Sequence, residues 1–328
     1  LMRAAVVWQG FRLGQSAVGA WTQYETALVG VGKVTDLAGQ GLADLGEEIR
    51  GLALRPELGA TTGELMAIAQ AAGQLGVKTP DIAKFTTEIA KIQGATDLSG
   101  DDAATSFARI LTLTHTVIDD VDRLGSSIVA LGNNYAATER EITGVTLRLS
   151  QDLSLYNVSA SAAAGLGAGL AALGITAERG GGALARAYAA IDAATRKSGS
   201  EQKALARITG QSAEEVKAAW GQDTTAVFAR VLTGLQRIKA SGGDVAAALG
   251  ALGLTATEDV STLGTLATGV DTVTSALDLS RQAWTENTAA TKEAEAAGKT
   301  AESQLTVFSN RLEGLKTDLG EAVTPALL

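Results

Sequence analysis

The chain has 328 residues, no cysteine, a single histidine and a formal net charge of -9. Without cysteine there are no disulfides and no thiolate metal sites, and the acidic balance is wrong for a sequence-independent nucleic-acid binder, whose affinity comes from neutralising phosphates with Lys and Arg. Apolar residues make up 46% of the chain but aromatics only 4%, so the apolar mass is Ala, Leu, Val and Ile. Small side chains suit helices packed closely along their length better than a deep, sculpted pocket. Three prolines and a surplus of helix formers predict an all-α fold: a multi-helix array of amphipathic helices with a C-terminal coiled-coil-like long helix. The 38 glycines each cost about 1 kcal/mol inside a helix relative to Ala, which places many of them at helix ends or close crossings. No charged leader followed by an apolar core opens the sequence, and Leu1 and Leu328 read as cut points in something longer.

From Arg3 to about Lys33 the pattern predicts a helix with Val6, Val7, Phe11, Leu13, Val18, Trp21, Leu28 and Val31 as apolar positions. Trp8, Trp21 and Tyr24 read as packing anchors. A second helix over Leu42–Leu54 ends ahead of Pro56, which biases Arg55 out of the helical region. Residues 1–60 are read as an N-terminal helical arm.

Thr61 to Phe85 is the clearest copy of a recurring unit: a helix, a glycine stop, one apolar residue and a new helix start. Thr61 and Glu64 have capping-box spacing, and Leu65, Ile68, Ala69, Ala72 and Leu75 share one face. Gly76 ends the helix in the left-handed conformation, with Val77 tucked behind it. Thr79 caps the next helix with Pro80 at its first position, and Ile82, Phe85, Ile89 and Ile92 follow. The same punctuation recurs at Gly174, with Ile175 and Thr176, and at Gly253, with Thr255 and Glu258 as a box. A looser copy has Ser212 and Glu215. The intervals between these four corners are irregular, so no fixed-period solenoid is read. Residues 61–256 are expected to form a compact helical core.

Within that core, Ser99 caps a helix carrying Phe107, Ile110 and Leu111, with Asp101 and Asp102 at the positive end of its dipole. His115, with no patterned partner, reads as structural. Asp119, Asp120 and Asp122 lack the alternating ligands and terminal Glu of a calcium loop and read as a solvated helix start. Leu153–Ala177 carries no charge but is diluted by Ser, Asn and Gly. Its Gly165/Gly169 pair permits close helix approach, and it reads as a buried helix rather than a membrane span. Gly180, Gly181 and Gly182 lack the Lys-Ser/Thr ending of a phosphate loop.

Residues 257–328 change character. Leu263, Leu266, Val270, Val273 and Leu277 step by three and four, as do Leu305, Phe308, Leu312, Leu315 and Leu319. One 3.5-residue register joins the two runs and predicts a left-handed coiled-coil seam. As one rod, Leu263 to Leu319 would reach on the order of 85 Å at 1.5 Å per residue. The alternative is two helices folded back near Gly298.

Five pieces in this order have a familiar look: AAGQLGVKTPDIAKFTTEIAKIQGATDLSGDDAA, ALGNNYAATEREI, GITAERGGGALARAY, ITGQSAEEVKAAW and TAESQLTVFSNRLEGLKTDLGEAVTPAL. Over about Trp21 to Leu328 the chain resembles the core region of bacteriophage tail tape measure proteins, in the minor tail protein family. The resemblance implies a segment of a longer helical protein in the tail tube lumen of the virion. Such a protein sets tail length as a ruler and leaves ahead of the DNA at infection. It also implies assembly in the host cytoplasm, a homo-oligomer, and as partners the tail tube protein, tail assembly chaperones and tail tip or baseplate proteins. Contact with the host membrane during ejection belongs to the same expectation.

The residues also allow weaker readings. A membrane-perforating component could use Leu153–Ala177. A DNA-binding regulator could use the Thr61–Ile92 unit, but Lys84 and Lys91 are offset by Asp81 and Glu88, so no specific nucleic-acid site is expected. An enzyme would need a convergent constellation that one histidine and no cysteine make hard to assemble. No catalytic, cofactor or metal residue is assigned. The candidate functional positions are the two seam runs and the corners Gly76, Gly174 and Gly253.

Overall fold

Serine, threonine and aspartate side chains open about half of the helices. In a computed structural model, which describes residues 2–326 with side chains over 14–325, Thr61 Oγ1 accepts the Glu64 amide and Glu64 Oε2 accepts the Thr61 amide. Thr138 with Glu141 and Ser212 with Glu215 repeat this reciprocal pair. Each box satisfies two donors that the helix leaves unpaired.

The described residues form seventeen α-helices. They are α1 Met2–Gly32, α2 Gln40–Leu52, α3 Thr62–Gln74, α4 Ile82–Ala95, α5 Gly100–Leu113, α6 Val121–Asn134, α7 Glu139–Asp152, α8 Ala160–Ala172 and α9 Ala177–Arg196. Then follow α10 Ser200–Thr209, α11 Ala213–Gln222, α12 Thr224–Ala240, α13 Val245–Gly250, α14 Thr257–Thr268, α15 Val270–Glu286, α16 Ala289–Ala297 and α17 Ala301–Val323. The fold is all-α. The side chains of Val6, Val7, Trp8, Phe11 and Leu13 lie outside the described residues.

Two expected caps differ. Lys78, not Thr79, precedes the next segment, and Thr79–Asp81 forms a single 3-10 turn with Pro80 inside it before α4 begins. At α14 the N-cap is Ala256 with no side-chain bond, so Thr255 and Glu258 do not form a box. The N-cap thus lies one residue before the position expected at Thr79 and one residue after that expected at Thr255, and neither hydroxyl stands at the N-cap.

Measured from cap to cap, the first intervals are regular. Thr61, Ser99, Thr138 and Thr176 stand 38, 39 and 38 residues apart. The corner bond from Val77 N to Ala72 O recurs 39 residues on as Thr116 N to Leu111 O. Likewise the 3-10 turn Thr79–Asp81 recurs as Ile118–Asp120. Caps thus recur along the sequence at α3, α5, α7 and α9, and the corner bond and 3-10 turn of the first interval recur in the second. Glycine corners hid this period, because the second corner is held by His115 at φ 55° rather than by glycine.

The residues fall into two units, 1–108 with 290–328, and 109–289. Stretches that the sequence separates as an N-terminal arm and a C-terminal rod therefore share a unit. In that first unit α17 lies along α1 closely enough that a Cβ on Gly320 would overlap the Ala17 carbonyl oxygen. In the second, α8 is surrounded by α6, α7 and α15, and Tyr156, Tyr188, Trp220 and Phe228 form a ring cluster with neighbouring centroids 5.1–6.3 Å apart.

Candidate interaction surface

The stretch expected as one rod is four helices. α14 stops at Gly269, α15 at Asn287 in the left-handed conformation (φ 50°), and α16 ahead of Gly298. Asn287 is held in that conformation from two sides: Ser126 Oγ donates to its Oδ1 at 3.1 Å, and its Nδ2 donates to Asp122. Gly298 lies against the backbone of Glu57, where a Cβ would sit 2.8 Å from Glu57 Cα.

The two halves of the seam have opposite fates. Leu263, Leu266, Val270, Val273 and Leu277 are all buried, within the second unit. The Gly165/Gly169 pair of α8 forms a seat for α15: Cβ atoms there would lie 2.7 Å from Leu277 Cα and 3.1 Å from Val273 Cα. Ser280 Oγ fastens the same crossing, donating to Ser161 O at 2.7 Å. The charge-free stretch around α8 is thus spent on helix packing. No described helix is long and apolar enough to cross a membrane.

On α17 the run faces outward. Leu305, Phe308, Leu312, Leu315 and Leu319 are 67%, 59%, 44%, 67% and 50% exposed. The residues two positions earlier in sequence, about 200° round the helix at 3.6 residues per turn, are the ones buried: Ser303, Asn310 and Thr317, with Val307 and Gly320 beside them. The inward face is small and polar, and each of its polar groups is satisfied. Ser303 donates to Ala297 O, Thr317 to Glu313 O, and Asn310 Nδ2 to the carbonyls of Ala53 and Ala60 at 2.7 and 2.9 Å. A helix with its polar stripe inside and its leucine stripe outside is an inverted amphipath.

A cleft of about 400 Å³ runs beside the stripe, lined by Arg50, Leu54, Leu315 and Asp318 among others. Arg50 spans it, donating to Glu47 Oε1 and Asp318 Oδ1, each at 2.7 Å, with its guanidinium 5.3 Å from the Tyr24 ring centroid. Burial, with Glu47 beside it, pushes the Tyr24 hydroxyl up to about 12. These groups fix α2, α1 and α17 to one another, and the cleft is a by-product of that strut.

The corner glycines have no such surface. Gly76, Gly174 and Gly253 sit at φ 82°, 68° and 84°, and each turn is closed by an amide bonded back to the carbonyl five residues earlier: Val77 to Ala72, Ile175 to Leu170, Leu254 to Leu249. Sequence reasoning missed the matching corners at His115 and Gly242. Both are closed by the same amide bond to the carbonyl five residues earlier, Thr116 to Leu111 and Gly243 to Ile238, made by residues that are not the apolar ones of the other corners.

The described residues thus form a helical array with packing corners, a polar-faced anchor helix and an outward leucine stripe on that helix. The chain belongs to the phage-related minor tail protein family, which matches residues 43–242, more than half of its length. It is a phage tail protein, associated with the virion and with other tail proteins. No curated protein and no solved structure matches the chain.

Proposed function

We propose that this chain is a segment of a tail tape measure protein, a non-enzymatic part of the phage tail that sets its length and is expelled ahead of the DNA. The observation that carries the reading is the family match over residues 43–242, which covers four helix caps recurring at a 38–39-residue step. A fixed step turns residue number into distance, which is what a ruler requires. In this reading the segment lies in the tube lumen and meets tube, tip or baseplate proteins and assembly chaperones.

Folded and extended forms measure differently. One 39-residue interval drawn out as continuous helix spans about 60 Å. The same interval folded and laid beside its neighbour adds only about 10 Å, the spacing of packed helices. The test is an in-frame deletion of residues 99–137, which leaves Thr138 in the capping place of Ser99, in the tail gene of a phage that carries it. Electron microscopy of the tails reads the outcome. Tails shorter by about 60 Å support a ruler that unfolds into helix, and tails shorter by about 10 Å support one that counts in folded intervals. Tails of normal length remove this segment from the measuring region.

A further inference from the structure

We propose that the exposed face of α17 is a self-association site that takes a second copy of this chain, with the two α17 helices antiparallel. The inference does not rest on the tape-measure reading, and any α17 face with this pattern would carry it.

The face is continuous and large. Five side chains exposed by about half to two-thirds form a stripe of about 500 Å², at the upper end for a free monomer surface. Two such stripes facing each other cover about 1,000 Å², the lower limit for a specific interface and the size of a reversible, concentration-dependent one. The steps of three and four between Leu305, Phe308, Leu312, Leu315 and Leu319 are those of a two-helix seam. The opposite face is occupied by the protein's own α1, through Gly320, and by the segment between α2 and α3, through Asn310, so α17 has one face left to pair.

Charge selects the direction. Taking Leu305, Leu312 and Leu319 as a positions and Phe308 and Leu315 as d positions, the seam is flanked by Gln304, Arg311 and Asp318 on one side. Ser309 and Lys316 flank it on the other. In a parallel, in-register pair, Arg311 of one copy meets Lys316 of the other, twice. In an antiparallel pair, Leu312 packs on Leu315, Phe308 on Leu319 and Leu305 on Ala322. Arg311 then meets Asp318, again twice. Asp318 already accepts a bond from Arg50, yet its side chain remains 59% exposed. The antiparallel seam matches apolar layers and sets opposite charges together, whereas the parallel one sets like charges together. A two-fold pair is self-complementary and closed. It has no polarity, whereas a tail does, so it describes the free chain.

Because the chain has no cysteine, crosslinking reads the pairing directly. Chains carrying Phe308→Cys and Leu319→Cys are prepared separately and mixed under mild oxidation. The expected result is a disulfide-linked dimer in the mixture and little in either variant alone. Efficient crosslinking of each variant with itself would overturn the antiparallel arrangement. Sedimentation equilibrium of the unaltered chain is expected to give a dimer, and a monomer at every concentration would overturn the pairing altogether. The double variant Leu312→Glu, Leu315→Glu changes only exposed positions. Its dissociation constant is expected to rise more than tenfold with helical circular dichroism unchanged, and an unaltered dimer would place the interface elsewhere.

Discussion

The side-chain amide of Asn310 donates a hydrogen bond to the carbonyl of Ala53, 257 residues earlier in the chain, at 2.7 Å. A second hydrogen on the same nitrogen goes to Ala60 O at 2.9 Å. This one side chain satisfies two carbonyls in the segment between α2 and α3, and it does so from the middle of the buried face of α17. It fixes both the register and the facing of that helix, and through them the outward position of the leucine stripe.

Asn310→Ala leaves those carbonyls without partners in a buried place, at a cost of about 2 kcal/mol. The unit formed by residues 1–108 and 290–328 should lose that stability while residues 109–289 keep theirs. Urea unfolding followed by hydrogen exchange, resolved by segment, separates the two. Asn310→Asp should be at least as damaging, since a carboxylate cannot donate.

His115 is an exposed residue in the left-handed conformation, where the other corners of this kind have glycine. An L side chain there costs about 1 kcal/mol or slightly more. His115→Gly should therefore raise the urea midpoint, with a gain of about 1 kcal/mol and no change in helical content.

Two glycine substitutions should act with opposite sign. Gly165→Ala puts a methyl 2.7 Å from Leu277 Cα and 3.0 Å from Ala276 O, a clash with backbone that α15 relieves only by moving away, at about 1–3 kcal/mol. Gly264, within α14, has open space around the same position. Gly264→Ala should stabilise by about 0.5–1 kcal/mol through helix propensity. Thermal melts of the two variants check the contrast.

Burial raises the hydroxyl of Tyr188 above its ordinary value of 10.0, and that of Tyr24 as well. A raised folded value means that the unfolded chain ionises first. Stability from these groups is complete below pH 10 and falls as the pH climbs toward the folded values. At pH 11, one unit above the unfolded value, Tyr188 alone accounts for about 1.4 kcal/mol of loss. Tyr188→Phe gives up only a 3.4 Å bond to Thr225 and should flatten the decline between pH 9 and pH 11 in urea midpoints.

Much of the fold is legible in local sequence, because helix starts and stops are local physics. The Thr61/Glu64 and Ser212/Glu215 pairs sit within one helical turn, and their hydrogen bonds need nothing from the rest of the chain. A left-handed turn at Gly76 is equally self-contained. The 38–39-residue period was present too, in Thr61, Ser99, Thr138 and Thr176, but glycine spacing concealed it where His115 stands in for glycine.

The sequence by itself determined that the chain is helical, where most helices begin, and which residues form each apolar stripe. Tertiary structure alone decided what each stripe faces. Leu263–Leu277 and Leu305–Leu319 share one three-four spacing, yet the first run is buried, with Val273 and Leu277 on the glycine seat of α8, and the second is exposed. Periodicity reports only that a helix has two unlike faces. Which face turns inward depends on what is available to receive it: backbone-close glycines for α15, and two unpaired carbonyls at Ala53 and Ala60 for α17. Those receivers lie more than a hundred residues away in the chain, beyond the reach of any local pattern.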